Sequence, residues 1–266
     1  RNKALNFNRK KRSMRYLLTL FVLASQFACG QLSESTKIHS HNDYLQKVPF
    51  WKAFDGKANS IEVDIFLRND SLFVAHHESE IDPSRTIESL YLKPMKTGFT
   101  SDTEGNRKLQ LLIDIKSEAK PTLDRLITVL EQFDGLTQNN SISWVISGNR
   151  PPPEEYVQCP EYILFDYQSL EDLKDPELWR KVAVISLPFY KHSKWDGKSA
   201  ISDSDYAEIK AITSKAHAFN KPFRFWATPD TELAWKTLAQ LGIDFVNTDK
   251  PAECAEYIEK LKRAHH

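Results

Sequence analysis

The sequence has no internal repeat, no low-complexity stretch and no long unbroken apolar run. Its composition gives no sign of disorder, collagen or a coiled coil. The N-terminal apolar run, Tyr16 to Ala24, is nine residues long, too short to cross a bilayer as a helix. Cysteine is scarce: Cys29, Cys159 and Cys254. With Cys29 in the N-terminal segment, one disulfide and two buried free thiols both fit the remaining pair. A basic footprint is missing too. Without the seven basic side chains of residues 1–30, the 36 Lys and Arg fall seven short of the 36 Asp and Glu. An acidic body of this kind argues against a nucleic-acid partner.

What is present is enough chain for one large domain. Of the 266 residues, a (β/α)₈ barrel would use nearly all, since it needs roughly 250. Met14-Arg15, the apolar run and the small residues around Ala28-Cys29-Gly30 together read as a secretory signal. The expected division is therefore residues 1–30 as upstream residues plus signal peptide and 31–266 as a single exported barrel domain. Residues 1–13 precede Met14, and their basic run is assigned no function. Lipid anchoring through Cys29 and cleavage after Gly30 both fit, although Gln26 stands where a lipobox has Leu.

From Thr36 onward, short β-branched runs alternate with helical stretches. Strands are expected near 36–40, 60–66, 72–76, 109–115, 142–147, 161–166, 182–187, 223–227 and 243–247. Several are almost continuously apolar, as parallel strands covered on both faces should be. Pro121 to Phe133 places Leu123, Leu126, Ile127 and Leu130 on one helical face. Ser204 to Phe219 and Thr231 to Leu241 repeat that logic, the latter with Asp230 as N-cap and Gly242 just past its end. Alternation of this kind implies a parallel sheet. Nine strands is one too many for the barrel, but only Arg68-Asn69-Asp70-Ser71 separates the second from the third. A parallel crossover needs about a dozen residues, so these two must form an antiparallel hairpin. That hairpin brings His76 beside Glu62 and Asp64.

In Ser60-Ile61-Glu62-Val63-Asp64-Ile65 the pleat puts both carboxylates on one face and the apolar residues on the other. Two partly buried carboxylates repel and resist ionisation unless a cation compensates. Oxygen ligands suit a hard ion such as Mg²⁺ or Ca²⁺. Asp114, in Ile113-Asp114-Ile115-Lys116, would complete a one-metal site, with Lys116 either holding a phosphate oxygen or simply pairing with Asp114. His39 and His41 share a face at the end of the first strand, and His76 and His77 end another. Imidazole is the side chain best suited to proton exchange near neutral pH.

His-Ser-His-Asn-Asp (39–43), Ser-Ile-Glu-Val-Asp-Ile (60–65) and Phe-Val-Ala-His-His-Glu (73–78) together resemble the signature of glycerophosphodiester phosphodiesterases. Arg85-Thr86, Ile113-Asp114-Ile115-Lys116, Phe225-Trp226-Ala227-Thr228 and Asn247-Thr248-Asp249-Lys250-Pro251 resemble its later motifs, so the likeness spans residues 37–251. His-Ser-His-Asn-Asp-Tyr and Arg-Thr-Ile-Glu-Ser-Leu-Tyr-Leu look closest to the divergent branch shared with the yeast altered inheritance of mitochondria protein 6, near the phosphatidylinositol-specific phospholipase C superfamily. The resemblance implies a TIM-type barrel and a metal-dependent phosphoric diester hydrolase. Glu62, Asp64 and Asp114 would hold one divalent cation, Mg²⁺ or Ca²⁺. His41 and His76 would act as general base and acid, His39, Asn42, Lys116 and Trp226 would contact a small-molecule or lipid-derived phosphodiester, and Trp226 would wall the pocket.

Two departures stand out. Asn42 replaces the Arg that usually follows the first histidine and helps bind phosphate, so that contact is expected from Lys116 or Asn42. His77 replaces an Asp. They keep open a non-catalytic exported barrel that binds lipid or sugar. A metal hydrolase of the amidohydrolase kind shares the His-x-His start but needs further strand histidines, and after residue 120 only His192, His217, His265 and His266 remain.

Overall fold

The computed structural model describes residues 36–101 and 107–264. The leader expected over residues 1–30, with Cys29, lies outside them. Nine strands form in chain order: β1 (Lys37–Ser40), β2 (Ser60–Arg68), β3 (Ser71–Val74), β4 (Leu109–Ile115), β5 (Ile142–Gly148), β6 (Ile163–Tyr167), β7 (Val182–Pro188), β8 (Phe223–Trp226) and β9 (Phe245–Thr248). Between them run α1 (Trp51–Asp55), α2 (Lys93–Ser101), α3 (Ala119–Glu131), α4 (Asp134–Thr137), α5 (Pro176–Arg180), α6 (Asp203–Ala218) and α7 (Glu232–Gln240), and α8 (Pro251–Arg263) follows the last strand.

Eight of the strands are parallel and run in the order β1-β9-β8-β7-β6-β5-β4-β2. β1 also pairs with β2, through His39↔Ser60 and Ser40↔Ile61, and this closes the barrel. β3 lies outside, antiparallel to β2, with Arg68↔Ser71 and Ile65↔Val74 in register. The two-residue turn is Asn69-Asp70, both left-handed at φ 47° and 60°. Short polar side chains tolerate that geometry, which matches the twist of a tight hairpin.

The pleat sorts each strand into an outer and an inner face. Ile61, Val63 and Ile65 are fully buried in the main apolar core. α3 buries Leu123, Leu126, Val129 and Leu130, while Ile127 is only half-buried. A separate apolar cluster of Leu112, Val145, Val184 and Phe245, with Leu164 against it, comes from alternating strand positions. Two residues further along the same strands, the side chains turn polar: Asp114, Ser147, Asp166, Ser186 and Asn247. An apolar plug thus fills the barrel and a polar layer caps it toward the C-terminal strand ends, where barrels of this type build their sites.

Two local details differ from the sequence reading. Three prolines, Pro151 to Pro153, follow β5, and a 3₁₀ turn over Pro153–Gln158 replaces the α-helix the alternation implies. The N-cap of α7 is Thr231, whose hydroxyl accepts from Ala234 N. Asp230 instead accepts from Trp235 Nε1 (2.7 Å) and Thr248 Oγ1 (2.6 Å), stapling the loop after β8 to β9. Cys159 and Cys254 are free thiols. No helix among the described residues is long and apolar enough to cross a membrane.

Candidate active site

Strand β2 carries Glu62 and Asp64 into the barrel, and β4 brings Asp114 alongside in the register Asp64↔Asp114. One oxygen from each of the three carboxylates lies within 4.8 Å of the others. Glu62 and Asp64 are buried, and Asp114 is half-buried.

Each carboxylate has its own electrostatic setting. Burial pushes the Glu62 carboxyl up, but the hydrogen bond from His39 and the charge of Arg224 overcome this and hold it well below the usual range. Asp64 is raised by burial and by Glu62, with Lys116 and Tyr44 opposing. Asp114 is pushed up to about 7, by burial first and then by Glu62 and Asp64, against the pull of Lys116. The cluster therefore lacks positive charge. Lys116 Nζ supplies part of it, 3.0 Å from Asp64 Oδ2 and 3.3 Å from Asp114 Oδ1. The second contact is an ion pair without hydrogen-bond alignment. Asp64 Oδ1 and Asp114 Oδ1 are buried oxygens with no hydrogen-bond partner. Orphaned carboxylate oxygens are costly unless something binds them. Three hard anionic ligands with two unbonded oxygens fit a divalent cation.

Gly148, at the end of β5, makes room for this arrangement. Its φ is +67°, and a Cβ there would lie 2.0 Å from Asp114 Oδ1. Only glycine permits both the backbone conformation and the close approach.

Two histidines flank the cluster, each set by a carboxylate. His41 Nδ1 donates to Asp249 Oδ1 at 2.7 Å, and its Nε2 lies 3.9 Å from Glu62 Oε1. Burial alone would lower the pKa of His41; the Asp249 hydrogen bond and the charges of Glu62 and Asp249 reverse this and raise it. His76 Nδ1 donates to Asp64 Oδ2 at 3.1 Å. Tyr44 Oη sits among these groups, 2.8 Å from Asp64 Oδ2, 2.9 Å from Asn42 Oδ1 and 3.1 Å from His76 Nδ1.

Beneath lies a charged floor. His39 is fully buried, with Nδ1 2.7 Å from Ser60 Oγ and Nε2 2.8 Å from Glu62 Oε2. Burial, then Arg224, lowers its pKa to about 4, so the ring is neutral. Arg224 Nη1 donates to Glu62 Oε2 (2.8 Å) and Asn247 Oδ1 (3.2 Å). Its Nη2 faces Asp166 Oδ2 at 3.7 Å, and that carboxylate accepts from Ser147 and Ser186.

Above the floor opens a cavity of about 390 Å³, lined by His41, Asn42, Glu62, His76, Asp114 and Lys116 on one side and by Ser147, Gly148, Asn149, Gln168, Arg224 and Trp226 on the other. Of the nine site residues read from the sequence, seven line it. Asp64 is buried just below, within its carboxylate cluster. His39 is the correction: it was expected to touch substrate, but both of its nitrogens are engaged under the cavity and it orients Glu62 instead. A larger cavity, about 900 Å³, opens at the other end of β1 between α1 and α8 and holds none of these groups. His192 bonds Glu208 and His217 bonds Asp244, both away from the cavity, so they add no ligands for an amidohydrolase-type centre.

Comparison with known proteins fits this geometry. The model of the AIM6-like phosphodiesterase domain matches residues 32–101, and that of the glycerophosphoryl diester phosphodiesterase family matches residues 222–252. The chain thus resembles both of these phosphodiesterase families over part of its length. An altered inheritance of mitochondria protein 6 homolog from Arthroderma benhamiae is 29% identical over 252 residues, covering 80% of each chain. Among solved structures, a glycerophosphodiester phosphodiesterase from Parabacteroides distasonis shares the fold, with a TM-score of 0.60, 16% identity and coverage of 86% of this chain and 98% of that one. A Ca²⁺-dependent phosphatidylinositol-specific phospholipase C from Streptomyces antibioticus gives a TM-score of 0.55 at 15% identity, covering 85% and 96%. The first match holds β1, β2 and the histidine hairpin; the second holds β8 and Asp249.

Tyr44, Asp249, Arg224 and Gly148 were not singled out from the sequence as site residues. Arg224 carried a signal: it is the one charge inside an otherwise apolar four-residue strand, Phe-Arg-Phe-Trp.

Proposed function

We propose that the chain is a divalent-cation-dependent phosphoric diester hydrolase acting on glycerophosphodiesters or related lipid head-group phosphodiesters. The observation that carries this reading is the triad Glu62, Asp64 and Asp114, with its unbonded oxygens, flanked by two histidines that each hold a carboxylate at Nδ1. Held by that triad, Mg²⁺ or Ca²⁺ would supply Lewis acidity and offset charge on the phosphoryl oxygens. The residues of the chain do the rest. With Nδ1–H committed to Asp249, His41 presents Nε2 for proton exchange, and Asp249 favours its protonated form. His76 is held the same way by Asp64. One ring takes a proton from water or a substrate hydroxyl, and the other returns one to the leaving alkoxide. Lys116 gives the phosphate a cationic contact in place of the arginine replaced by Asn42, and Trp226 packs on the head group.

The test uses the purified full chain with glycerophosphodiesters and a chromogenic diester, in Ca²⁺, Mg²⁺ or EDTA. Turnover is expected only with the cation, and Glu62→Ala and His76→Ala should each lose roughly 100- to 10,000-fold. Turnover indifferent to chelation would count against the metal role. A second reading has one observation in its favour: the Lys116 ammonium already bridges Asp64 and Asp114, as it would in a barrel that binds head groups without cleaving them. Such a barrel would take up no cation and turn over none of these diesters. For the compartment we propose export, on the residue pattern of 14–30 alone.

A further inference from the structure

The loops that leave β7, β8, β9 and β1 lie side by side at the barrel mouth, because those strands are neighbours. Side-chain bonds join them into one surface. Gln46 Nε2 donates to Asp249 O at 2.7 Å, linking the loops after β1 and β9. Asp249 N donates to Asp230 Oδ2 at 3.1 Å, linking β9 to β8. Thr231 Oγ1 donates to Gly197 O at 2.8 Å, linking β8 to β7. Tyr190 stands edge-on against Trp226 with ring centroids 5.6 Å apart, which brings this arc to the wall of the cavity.

The arc combines two kinds of exposed side chain. Leu45 is 67% exposed, Val48 49% and Tyr190 47%. Lys47, Lys191, Lys194, Lys198 and Lys250 are exposed beside them. Two exposed acids on the arc are partnered, Asp196 at 3.8 Å from Lys198 and Asp249 on His41, while Asp203, Glu232 and Glu253 are exposed in the first turns of the helices that follow these loops. The opposite side of the mouth carries exposed Glu78, Glu80, Glu154, Glu171 and Asp172, of which Glu78 pairs with Arg68 and Asp172 with Lys174. Five lysines and three exposed apolar side chains thus come together on one arc of the rim, next to the site.

Single apolar tips on loops, set among lysines, do not form a groove for a peptide. They suit an anionic bilayer interface, where the tips enter the head-group region, the ammonium groups meet lipid phosphates, and the lysine stems cover apolar surface. The lysines and apolar tips of the arc face the same way as the cavity, so contact through them would turn the barrel mouth toward the membrane. We infer that this arc docks the barrel mouth on an anionic lipid bilayer, so that a lipid head-group phosphodiester reaches the cavity from the membrane side. The purpose of the docking rests on the phosphodiester reading above; the docking itself does not.

The experiment is co-sedimentation of the full chain with vesicles of phosphatidylcholine alone and of phosphatidylcholine mixed with phosphatidylserine. Binding is expected to the mixed vesicles, to weaken with salt, and to be much lower with phosphatidylcholine alone. Loss of one lysine contact should reduce binding about fivefold. Lys191→Glu with Lys194→Glu should therefore abolish most of it, and Leu45→Ser with Val48→Ser should reduce it strongly. Glu154→Lys with Glu171→Lys on the opposite arc should not reduce it. The N-terminal segment is common to all variants, so these differences report the arc. Turnover of a soluble diester should be unchanged in every variant. If no diester is turned over, the phosphodiester reading fails and the sedimentation result still stands. Equal binding to both vesicle types, or parental binding by both arc variants, would overturn the docking.

Discussion

Gly148 makes a prediction at the scale of one atom. A methyl group there would collide with Asp114 Oδ1. Gly148→Ala should push Asp114 out of the triad and weaken cation affinity at least tenfold, read by calorimetric titration, with the fold retained in circular dichroism. Unchanged affinity would show that Asp114 does not ligate. Asp114 makes a second. Its folded pKa of about 7 lies above the ordinary 3.8, so between those values the folded state keeps a proton that the unfolded state releases. That contribution to stability is fully present below about pH 4 and is lost as pH rises through 7. Asp114→Asn removes this dependence. In chelator, the variant should gain on the parent as pH rises from 4.5 to 8, by roughly 2–4 kcal/mol, while losing diester turnover. Denaturant titrations at the two pH values would check it, and a constant difference would contradict it.

At the scale of elements, the turn after β1 is held by one buried carboxylate. Asp43 accepts from Ser40 Oγ at 3.0 Å, Phe50 N at 2.6 Å and Tyr91 Oη at 3.0 Å. This latch fixes the turn that carries Tyr44, and Tyr44 in turn meets Asp64 and His76. Asp43→Ala would leave three donors unpaired, and should cost about 2–4 kcal/mol in unfolding free energy and lower turnover as well. Tyr44→Phe should keep the stability largely intact but lower turnover and shift its pH profile, because His76 loses a neighbour at 3.1 Å. An unchanged profile would make Tyr44 merely structural. The strands themselves were legible in the sequence because each is a short apolar run with clear ends, and the hairpin because four residues cannot make a parallel crossover. The carboxylate triad was legible for the same reason: period-two alternation exposes Glu62, Asp64 and Asp114 against apolar neighbours. The floor was not. Asp166, Ser186 and Arg224 obey the same alternation, but each is a single polar residue in its strand, and only strand order shows that they meet. The role of His39 was also out of reach, since the pleat puts His39 and His41 on one face without saying how deep each lies.

For the whole molecule, the site lies at one end of a closed barrel, above an apolar plug of Leu112, Val145, Val184 and Phe245. Closure itself is thin: β1 and β2 share two paired positions, His39↔Ser60 and Ser40↔Ile61. His39 lies on that seam and bonds both Ser60 and Glu62, so the seam and the triad are held by one residue. A cation that binds only the folded barrel should therefore stabilise the whole chain, by about 2.7 kcal/mol at a hundred times its dissociation constant. The most direct measurement is a calorimetric titration of the chelator-stripped full chain with Ca²⁺ and with Mg²⁺, set beside the same titration of Asp64→Asn. The account predicts one ion per chain in the parent and none in the variant. No uptake by the parent, or equal uptake by the variant, would contradict it.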